Sequence, residues 1–108
     1  SGFRPEIRRC VECRTELAPD DHLFDVGLGG ILCRDCRSHG VGMLLPLKLN
    51  SMKVLRLLQR DRDFARAGTI RTSALVRSEV ERVLTEHIRY VLERQLKSVA
   101  FVRLVSEL

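Results

Sequence analysis

Four cysteines in two tight pairs constrain this 108-residue chain more than any other feature of its sequence. One pair is Cys10-Val11-Glu12-Cys13, and the other, Cys33-Arg34-Asp35-Cys36, follows after residues 14–32. Two residues between cysteines allow a turn that brings both sulfurs to one metal ion, and two such pairs complete a tetrahedral set. Because four thiolates leave no open position for water or substrate, the spacing predicts one structural zinc ion.

Disulfides, redox catalysis and an iron–sulfur cluster are the alternatives for these cysteines. A disulfide framework is typical of secreted chains, and a thioredoxin-like pair opens a helix after a strand. Arg8-Arg9 and Ile31-Leu32 precede the two pairs, and neither is the β-run of a βαβ unit. We therefore expect zinc, although four thiolates can also hold iron. His39 follows the second pair closely, and we expect it to lie on the surface because the cysteines already complete the ligand set.

The positive charge of the chain is concentrated in one segment. The formal net charge is +5, and residues 51–77 hold seven basic residues against two acidic ones, while the segments on either side are balanced. Such an excess permits binding to phosphate groups or acidic peptides without requiring it. No apolar run approaches the length of a membrane span. The length suits one domain, or one small module beside a second, and the Ser1-Gly2 start leads us to expect either a processed chain or a piece cut from a longer protein.

Residues 1–40 are predicted to form the zinc-binding module. Within it, residues 22–26 have the alternation of a short strand, and Ile31-Leu32 pairs back after a turn at Gly29-Gly30, where glycine permits a positive φ. This hairpin delivers the second cysteine pair to the metal. Residues 41–50 are predicted to form a connector that carries an apolar patch.

Helices are predicted for the remainder, residues 51–108. The predicted fold is mainly α: a small four-cysteine zinc finger with a short β-hairpin, followed by two or three packed helices of the same domain. The first helix begins after Asn50 or Ser51, both good N-caps, and ends near Ala67 ahead of Gly68.

A linker over residues 68–77 is predicted to separate the first helix from the second. Ser78-Glu79-Val80-Glu81 has the pattern of a capping box, which places the second helix start at Ser78. Apolar residues then recur at helical spacing up to Lys97, with His87 on the apolar side as a core histidine. Ser98 is predicted to cap a last short helix.

The candidate binding residues belong to the first helix and the segment after it. Lys53, Arg56 and Arg60 recur on one helical face, and Arg66 and Arg71 continue the positive charge. This face is a candidate contact for nucleic acid or an acidic partner, and an ordinary solvated helix face is the alternative. No aromatic residue lies between Lys53 and Arg60, so base stacking is not expected along this stripe. The chain has no Ser/His/Asp arrangement, phosphate loop or hydrolase motif, and we expect no enzymatic activity.

Three segments follow one another in a recognisable order: residues 4–13 (RPEIRRCVEC), 23–36 (LFDVGLGGILCRDC) and 96–105 (LKSVAFVRLV). Together they resemble the C-terminal half of RecO, a family of bacterial recombination mediators, and the likeness covers essentially the whole chain. RecO proteins that bind zinc use two C-x-x-C pairs, which match the two pairs here. One departure is Arg14, where the family often has glycine, and it bears on how tight the first knuckle can be.

The resemblance implies a role in DNA repair and homologous recombination. RecO proteins bind DNA, anneal complementary strands and work in the RecF pathway with RecR and single-stranded DNA-binding protein to load RecA. Their main DNA-binding element is an N-terminal OB-fold, and no part of this chain resembles it. The implied partners are RecR, the acidic C-terminal tail of single-stranded DNA-binding protein, and DNA, mainly through the missing domain. The implied location is the bacterial cytoplasm at the nucleoid, with no membrane and no small-molecule substrate.

Two functions of other classes stay open beside this one. The chain can be a purely architectural adaptor, in which the zinc loop orients a separate DNA-binding domain and contacts no nucleic acid. It can also be a C-x-x-C thiol oxidoreductase. Metal analysis separates the last from the others, because one bound zinc and no titratable thiols exclude a redox enzyme.

Overall fold

The computed structural model describes residues 4–60 and 72–108, which form a small antiparallel sheet and two α-helices. The strands lie in the order β2-β1-β3. The elements in chain order are β1 (His22–Asp25), β2 (Gly30–Leu32), a 3₁₀ helix (Arg34–His39), β3 (Leu44–Leu47), α1 (Leu49–Arg60) and α2 (Ala74–Ser106).

The predicted hairpin is present and carries the second cysteine pair. β1 and β2 are antiparallel, with Phe24 opposite Ile31. Gly29 turns the chain with a φ of 72°, in the left-handed region that favours glycine. At Gly30 an added Cβ would lie 2.8 Å from the Glu6 carbonyl oxygen, because Glu6 forms a parallel bridge to Gly30. The N-terminal segment therefore lies against the outer edge of β2.

Strand β3 was not predicted; it lies within the segment that the sequence analysis treated as a connector. It pairs antiparallel with β1, with Leu45 opposite Phe24. Its residues alternate exposed and buried, and Leu45 and Leu47 face the core. The strand is not evident from the sequence because Pro46 lies within it, and proline is unfavourable in most strand positions. The proline is tolerated because β3 is an edge strand and residue 46 faces solvent.

Helix α1 begins at Leu49, slightly earlier than predicted, because carboxylates from other elements satisfy its first N–H groups. The Leu49 N–H donates to Asp21 Oδ1 at 2.9 Å, and the Lys48 N–H donates to Glu79 Oε1 at 2.6 Å. These partners replace the local caps expected at residues 50 and 51. The predicted helix end at Ala67 and Gly68 lies outside the described residues.

Helix α2 corrects two predictions. It begins at Ala74, with Ser73 as N-cap accepting from the Val76 N–H at 3.2 Å, so the capping box at Ser78 is not a helix start. Glu79 of that box bonds to residue 48 instead. The helix also continues to Ser106 without a break at Lys97 and Ser98, because no glycine or proline interrupts it. From residue 92 onward every residue of α2 is exposed.

One buried cluster joins the sheet to both helices and confirms the predicted fold class, mainly α with a small sheet and a four-cysteine module. Phe24 of β1 lies at its centre, with Met52 of α1 and Val83 of α2, all fully buried. His87, predicted as a core histidine, is 3% exposed, and its ring packs edge-to-face on Phe24 with 5.9 Å between centroids. Ile7 and Cys10 belong to the same cluster, so the metal module and the helices share a core.

Candidate metal centre

The first knuckle is a tight turn closed by backbone hydrogen bonds. The Cys10 N–H donates to the Thr15 carbonyl at 2.8 Å, and the Arg14 N–H donates back to the Cys10 carbonyl at 2.9 Å. Arg14 has a φ of 67°, a left-handed conformation that costs a residue with a Cβ roughly 1–2 kcal/mol. The turn needs a glycine-like backbone, and arginine adopts it. The departure from the family pattern therefore leaves the knuckle tight.

The second knuckle is built by the end of β2 and the start of the 3₁₀ helix. The Cys36 N–H donates to the Cys33 carbonyl at 3.1 Å, which folds the pair onto one side. The Cys33 N–H donates to Cys10 Sγ at 3.4 Å, so the backbone of one knuckle contacts a sulfur of the other. An N–H that points at sulfur stabilises the thiolate form that a metal requires.

The four sulfur atoms fit one metal ion. The Sγ atoms of Cys10, Cys13, Cys33 and Cys36 all lie within 4.8 Å of one another, and those of Cys13 and Cys33 are 3.8 Å apart. A Zn–S bond of about 2.3 Å implies sulfurs about 3.8 Å apart in a tetrahedral site, so only small shifts are needed to complete one. The structure therefore brings together the four cysteines singled out in the sequence, in a cluster that could hold one metal ion.

The pKa values of the thiols are shifted in opposite directions: those of Cys10 and Cys13 are lowered and that of Cys36 is raised. Burial raises the pKa of Cys10, but backbone N–H groups, that of Cys33 foremost, lower this pKa to about 6. The hydroxyl and N–H of Thr15 lower the pKa of Cys13, whose Sγ is 3.1 Å from Thr15 Oγ1. Burial and the neighbouring thiols raise the pKa of Cys36. The thiolate form is therefore favoured at Cys10 and Cys13. A bound cation is needed for all four sulfurs to be thiolates at the same time.

The other two histidines lie outside this cluster. His39 ends the 3₁₀ helix and is exposed, as predicted. His22 is half-buried in β1, with Nε2 2.9 Å from the Ala18 carbonyl oxygen. In the part of the chain that the structure describes, the group that could hold a metal ion consists of cysteines only.

The basic residues of α1 surround a shallow hollow rather than forming a uniform solvated stripe. Lys53, Arg56 and Arg60 line it together with Leu57 and, from the N-terminal segment, Arg8; its volume is about 370 Å³. We call the four cations Arg8, Lys53, Arg56 and Arg60 the basic cluster. The other two candidates, residues 66 and 71, lie outside the described residues.

Arg56 has a structural role that the sequence did not reveal. It is half-buried, and its Nη2 donates to the Leu17 carbonyl at 2.9 Å and to the Ile7 carbonyl at 3.4 Å. Both acceptors flank the first knuckle, so α1 holds that knuckle in place. Gln59 acts similarly one turn later, with Nε2 donating to the Pro5 carbonyl at 2.8 Å.

Asp25 is the other residue that sequence reasoning missed. Alternation in β1 suggested an outward-facing polar side chain, but Asp25 is fully buried. Its carboxylate accepts from the N–H groups of Leu28 at 3.0 Å and Val41 at 2.9 Å, and more weakly from Gly42 at 3.4 Å. It ties the β1–β2 turn to the loop after the 3₁₀ helix. The sequence signal for this buried carboxylate is the glycine at positions 27 and 42. An added Cβ at Gly42 would lie 2.8 Å from Asp25 Oδ1, so a larger residue would collide with the carboxylate.

Comparison with known families agrees with this arrangement. The sequence profile of the family described as "Recombination protein O C terminal" matches residues 1–100. The chain belongs to this RecO family. The C-x-x-C pairs and the hairpin between them both lie within the matched region.

Curated relatives of this RecO-family chain carry the name "DNA repair protein RecO". The protein from Dehalococcoides mccartyi is 33% identical over 106 residues, which are 98% of this chain and 41% of the relative. The proteins from Roseiflexus sp. and Symbiobacterium thermophilum are 37% and 36% identical, each over 94% of this chain and over 35% and 40% of the relative. The chain therefore spans about two-fifths of the length of the relatives it matches.

No solved structure matches the chain. Among the described residues, neither α1 nor α2 is long and apolar enough to cross a membrane.

Proposed function

We propose that this chain is a module of a DNA repair and recombination mediator, in which one zinc ion has a purely structural role. The observation that carries the proposal is the family match over residues 1–100, in a chain whose four cysteines converge on one point. The named relatives are DNA repair proteins, and the cluster offers a complete tetrahedral ligand set. In the whole protein, DNA strand annealing and RecA loading together with RecR would depend on further domains.

Zinc is the metal that best suits the ligands. Four thiolates in a tetrahedron favour zinc over magnesium or calcium, which prefer oxygen ligands. Cys10, Cys13, Cys33 and Cys36 would hold the ion, and the ion would supply charge compensation and a cross-link between the knuckles. We propose no catalytic thiol here, because all four sulfurs would be used as ligands. Elemental analysis that finds one zinc per chain and no titratable thiol supports this assignment; a metal-free, reversibly oxidised protein overturns it.

The basic cluster is the proposed contact for an anionic partner, either DNA phosphates or the acidic tail of single-stranded DNA-binding protein. Arg8, Lys53 and Arg60 are exposed, and Leu57, 40% exposed, gives the hollow an apolar floor. Cations around an apolar surface suit a ligand that combines negative charge with apolar atoms. Arg56 sits among them with its guanidinium already bound to carbonyl groups.

The test compares charge reversal at the basic cluster with charge reversal elsewhere. The variant carries Arg8→Glu, Lys53→Glu and Arg60→Glu, and leaves Arg56 in place because its loss would disturb the fold. Binding of a single-stranded oligonucleotide and of an acidic tail peptide is measured at several salt concentrations. If the three cations contact phosphates, the slope of log K against log salt falls by about 2 for single strands.

A matched control reverses three exposed charges on α2: Arg82→Glu, Lys97→Glu and Arg103→Glu. It has the same net charge as the first variant, so a purely global charge effect weakens both equally. Equal affinity for the two variants would overturn the assignment of the basic cluster. Loss of peptide binding with oligonucleotide binding unchanged would assign the cluster to the protein partner.

An architectural role is the second candidate, and Arg56 is the observation that favours it. Arg56, a member of the basic cluster, donates hydrogen bonds to the carbonyl groups of Ile7 and Leu17. In that case the zinc loop orients the rest of the protein and the module contacts no nucleic acid. Wild-type protein that binds neither the oligonucleotide nor the peptide supports this candidate.

A further inference from the structure

The four cysteines of the candidate metal centre differ in their exposure to solvent. Cys10 and Cys36 are 0% and 6% exposed, whereas Cys13 is exposed and Cys33 is half-buried. The two accessible cysteines come from different knuckles. A dissolved oxidant therefore reaches one sulfur of each knuckle before it reaches the buried pair.

The accessible pair is also close enough to react. The Sγ atoms of Cys13 and Cys33 are 3.8 Å apart, and a disulfide needs about 2.05 Å, so they must approach by less than ~2 Å. Residues 12–16 around Cys13 are all exposed, so no packed core opposes this movement. Cys10, by contrast, is held in the core cluster and by the Cys33 N–H.

We propose that Cys13 and Cys33 form a redox-sensitive pair through which hydrogen peroxide opens the metal centre. The inference rests on the zinc site of the proposed function. The Cys13 thiolate attacks a peroxide oxygen; an S–O bond forms, the O–O bond breaks and hydroxide leaves. The Cys33 thiolate then attacks that sulfur; an S–S bond forms and a second hydroxide leaves. The two sulfurs lose two electrons, and peroxide with two protons becomes two waters.

Oxidation leaves Cys10 and Cys36 as the remaining ligands, and two thiolates are half of a structural set. The consequence extends to the basic cluster. Arg8 lies two residues before Cys10, in the segment that the first knuckle anchors, and Arg56 bonds to that segment on both sides of the knuckle. An opened centre loosens this segment, so peroxide regulates the affinity of the basic cluster for anions.

The first experiment follows metal and disulfide together. The zinc-loaded chain is treated with hydrogen peroxide beside a chromophoric zinc chelator, and peptides are mapped by mass spectrometry under non-reducing conditions. We expect release of one zinc per chain, with the disulfide mapped to Cys13 and Cys33. A disulfide within either C-x-x-C pair, or zinc retained after oxidation, would overturn the proposal.

Two matched cysteine-to-histidine substitutions test whether Cys13 is the residue that makes the site sensitive to peroxide. Cys13→His retains four ligands, since sites with three cysteines and one histidine also hold zinc, but removes the pair. Cys10→His makes the same change at the buried sulfur and retains Cys13 and Cys33. We expect Cys13→His to slow zinc release about tenfold or more and Cys10→His to leave it fast. Equal rates in the two variants would contradict the proposal, and if either variant fails to bind zinc, the wild-type disulfide map decides.

A last measurement tests the regulatory link. Oligonucleotide affinity is compared before oxidation, after oxidation, and after reduction with added zinc; we expect a loss of about tenfold that is fully restored. Unchanged affinity after zinc release would overturn the link. Failure of the proposed function is separate, because it would appear as a chain without zinc before any peroxide is added.

Discussion

The knuckles and the sheet–helix core of this chain are held together by different forces. Around the first knuckle, residues 12–16 are exposed, and backbone hydrogen bonds and sulfur atoms define the turn. In the core, Phe24, Met52, Leu55 and Val83 are packed side by side and excluded from water. We expect the first region to depend on the proposed metal ion for its stability, whereas the second supplies its own by burying apolar surface. Cys10 lies in the shared core, but the other residues of the first knuckle are exposed or half-buried, so we expect the two stabilities to change largely separately.

Metal removal gives the largest expected effect, and it should act mainly on the knuckles. A structural zinc ion would contribute on the order of 10 kcal/mol of apparent binding free energy, and the knuckle region would lose this contribution on chelation. Hydrogen exchange should accelerate strongly at the N–H groups of Cys10 and Arg14, which are bonded only within the turn. Amides between β1 and β3 should remain protected. Simultaneous loss of protection in both regions would show that the core does not stand without the metal.

Phe24→Ala should have the next largest effect, this time on the core. The ring is fully buried and contacts His87, so its loss leaves a cavity that costs about 3–5 kcal/mol of the free energy of unfolding. The measurement is denaturant unfolding of the zinc-loaded chain, with zinc stoichiometry checked in parallel. Full zinc occupancy in a destabilised variant is the expected combination. Loss of zinc at the same time would contradict the separation of the two regions.

Asp25→Ala should lower the free energy of unfolding by about 2–3 kcal/mol, because the buried N–H groups of Leu28 and Val41 lose the carboxylate that accepts their hydrogen bonds. The residue connects the hairpin turn to the loop after the second knuckle, so it tests the link between the two regions. Denaturant unfolding again provides the value. The matched control is Asp20→Ala, whose exposed ion pair with Arg34 spans 3.7 Å and should contribute little. Equal losses in the two variants would refute a special role for Asp25.

Arg14→Gly should stabilise the chain by about 1 kcal/mol. Glycine adopts the positive φ of this position without a steric penalty, which outweighs the extra freedom it gives the unfolded chain. Thermal unfolding with zinc present measures the gain. Glu12→Gly is the control, since residue 12 is in the same turn without a positive φ, and it should be neutral or destabilising. A destabilising Arg14→Gly would mean that the arginine side chain itself contributes to the knuckle.

Phe101→Ala should have the smallest effect, below about 0.5 kcal/mol in this chain. The ring lies on the exposed part of α2, with 66% of the residue accessible to solvent. It is also the matched control for Phe24→Ala, because the substitution is chemically identical. Thermal unfolding of the two variants side by side measures the contrast. A loss comparable to that of Phe24→Ala would place Phe101 in a contact within the chain.

Short-range patterns predicted the four-cysteine cluster and the hairpin well. The two C-x-x-C pairs and Gly29 each specify their geometry within a few residues, by ligand spacing and by a positive φ. The mainly α class also followed, because helical periodicity over long segments is a strong signal. These features depend on neighbours in sequence, and the structure places them as expected.

Long-range contacts account for what the sequence did not predict. The Ser78 capping box failed because Glu79 bonds to the backbone of residue 48, and Arg56 could not be distinguished from its solvated neighbours because its acceptors lie near residues 7 and 17. Strand β3 was hidden by Pro46, whose compatibility with a strand depends on its position at the sheet edge. In each of these three cases a distant partner decided the conformation.

The capping of α1 by Asp21 and Glu79 has a consequence for the order of folding. The twelve described residues of α1 are marginal as an isolated helix, and the carboxylates that satisfy its first N–H groups are 28 and 31 residues away along the chain. An excised peptide of residues 49–60 should therefore be mostly coil in water by circular dichroism. In the intact chain, α1 should gain its protection only after α2 and the hairpin have met, which makes it a late step of the folding reaction.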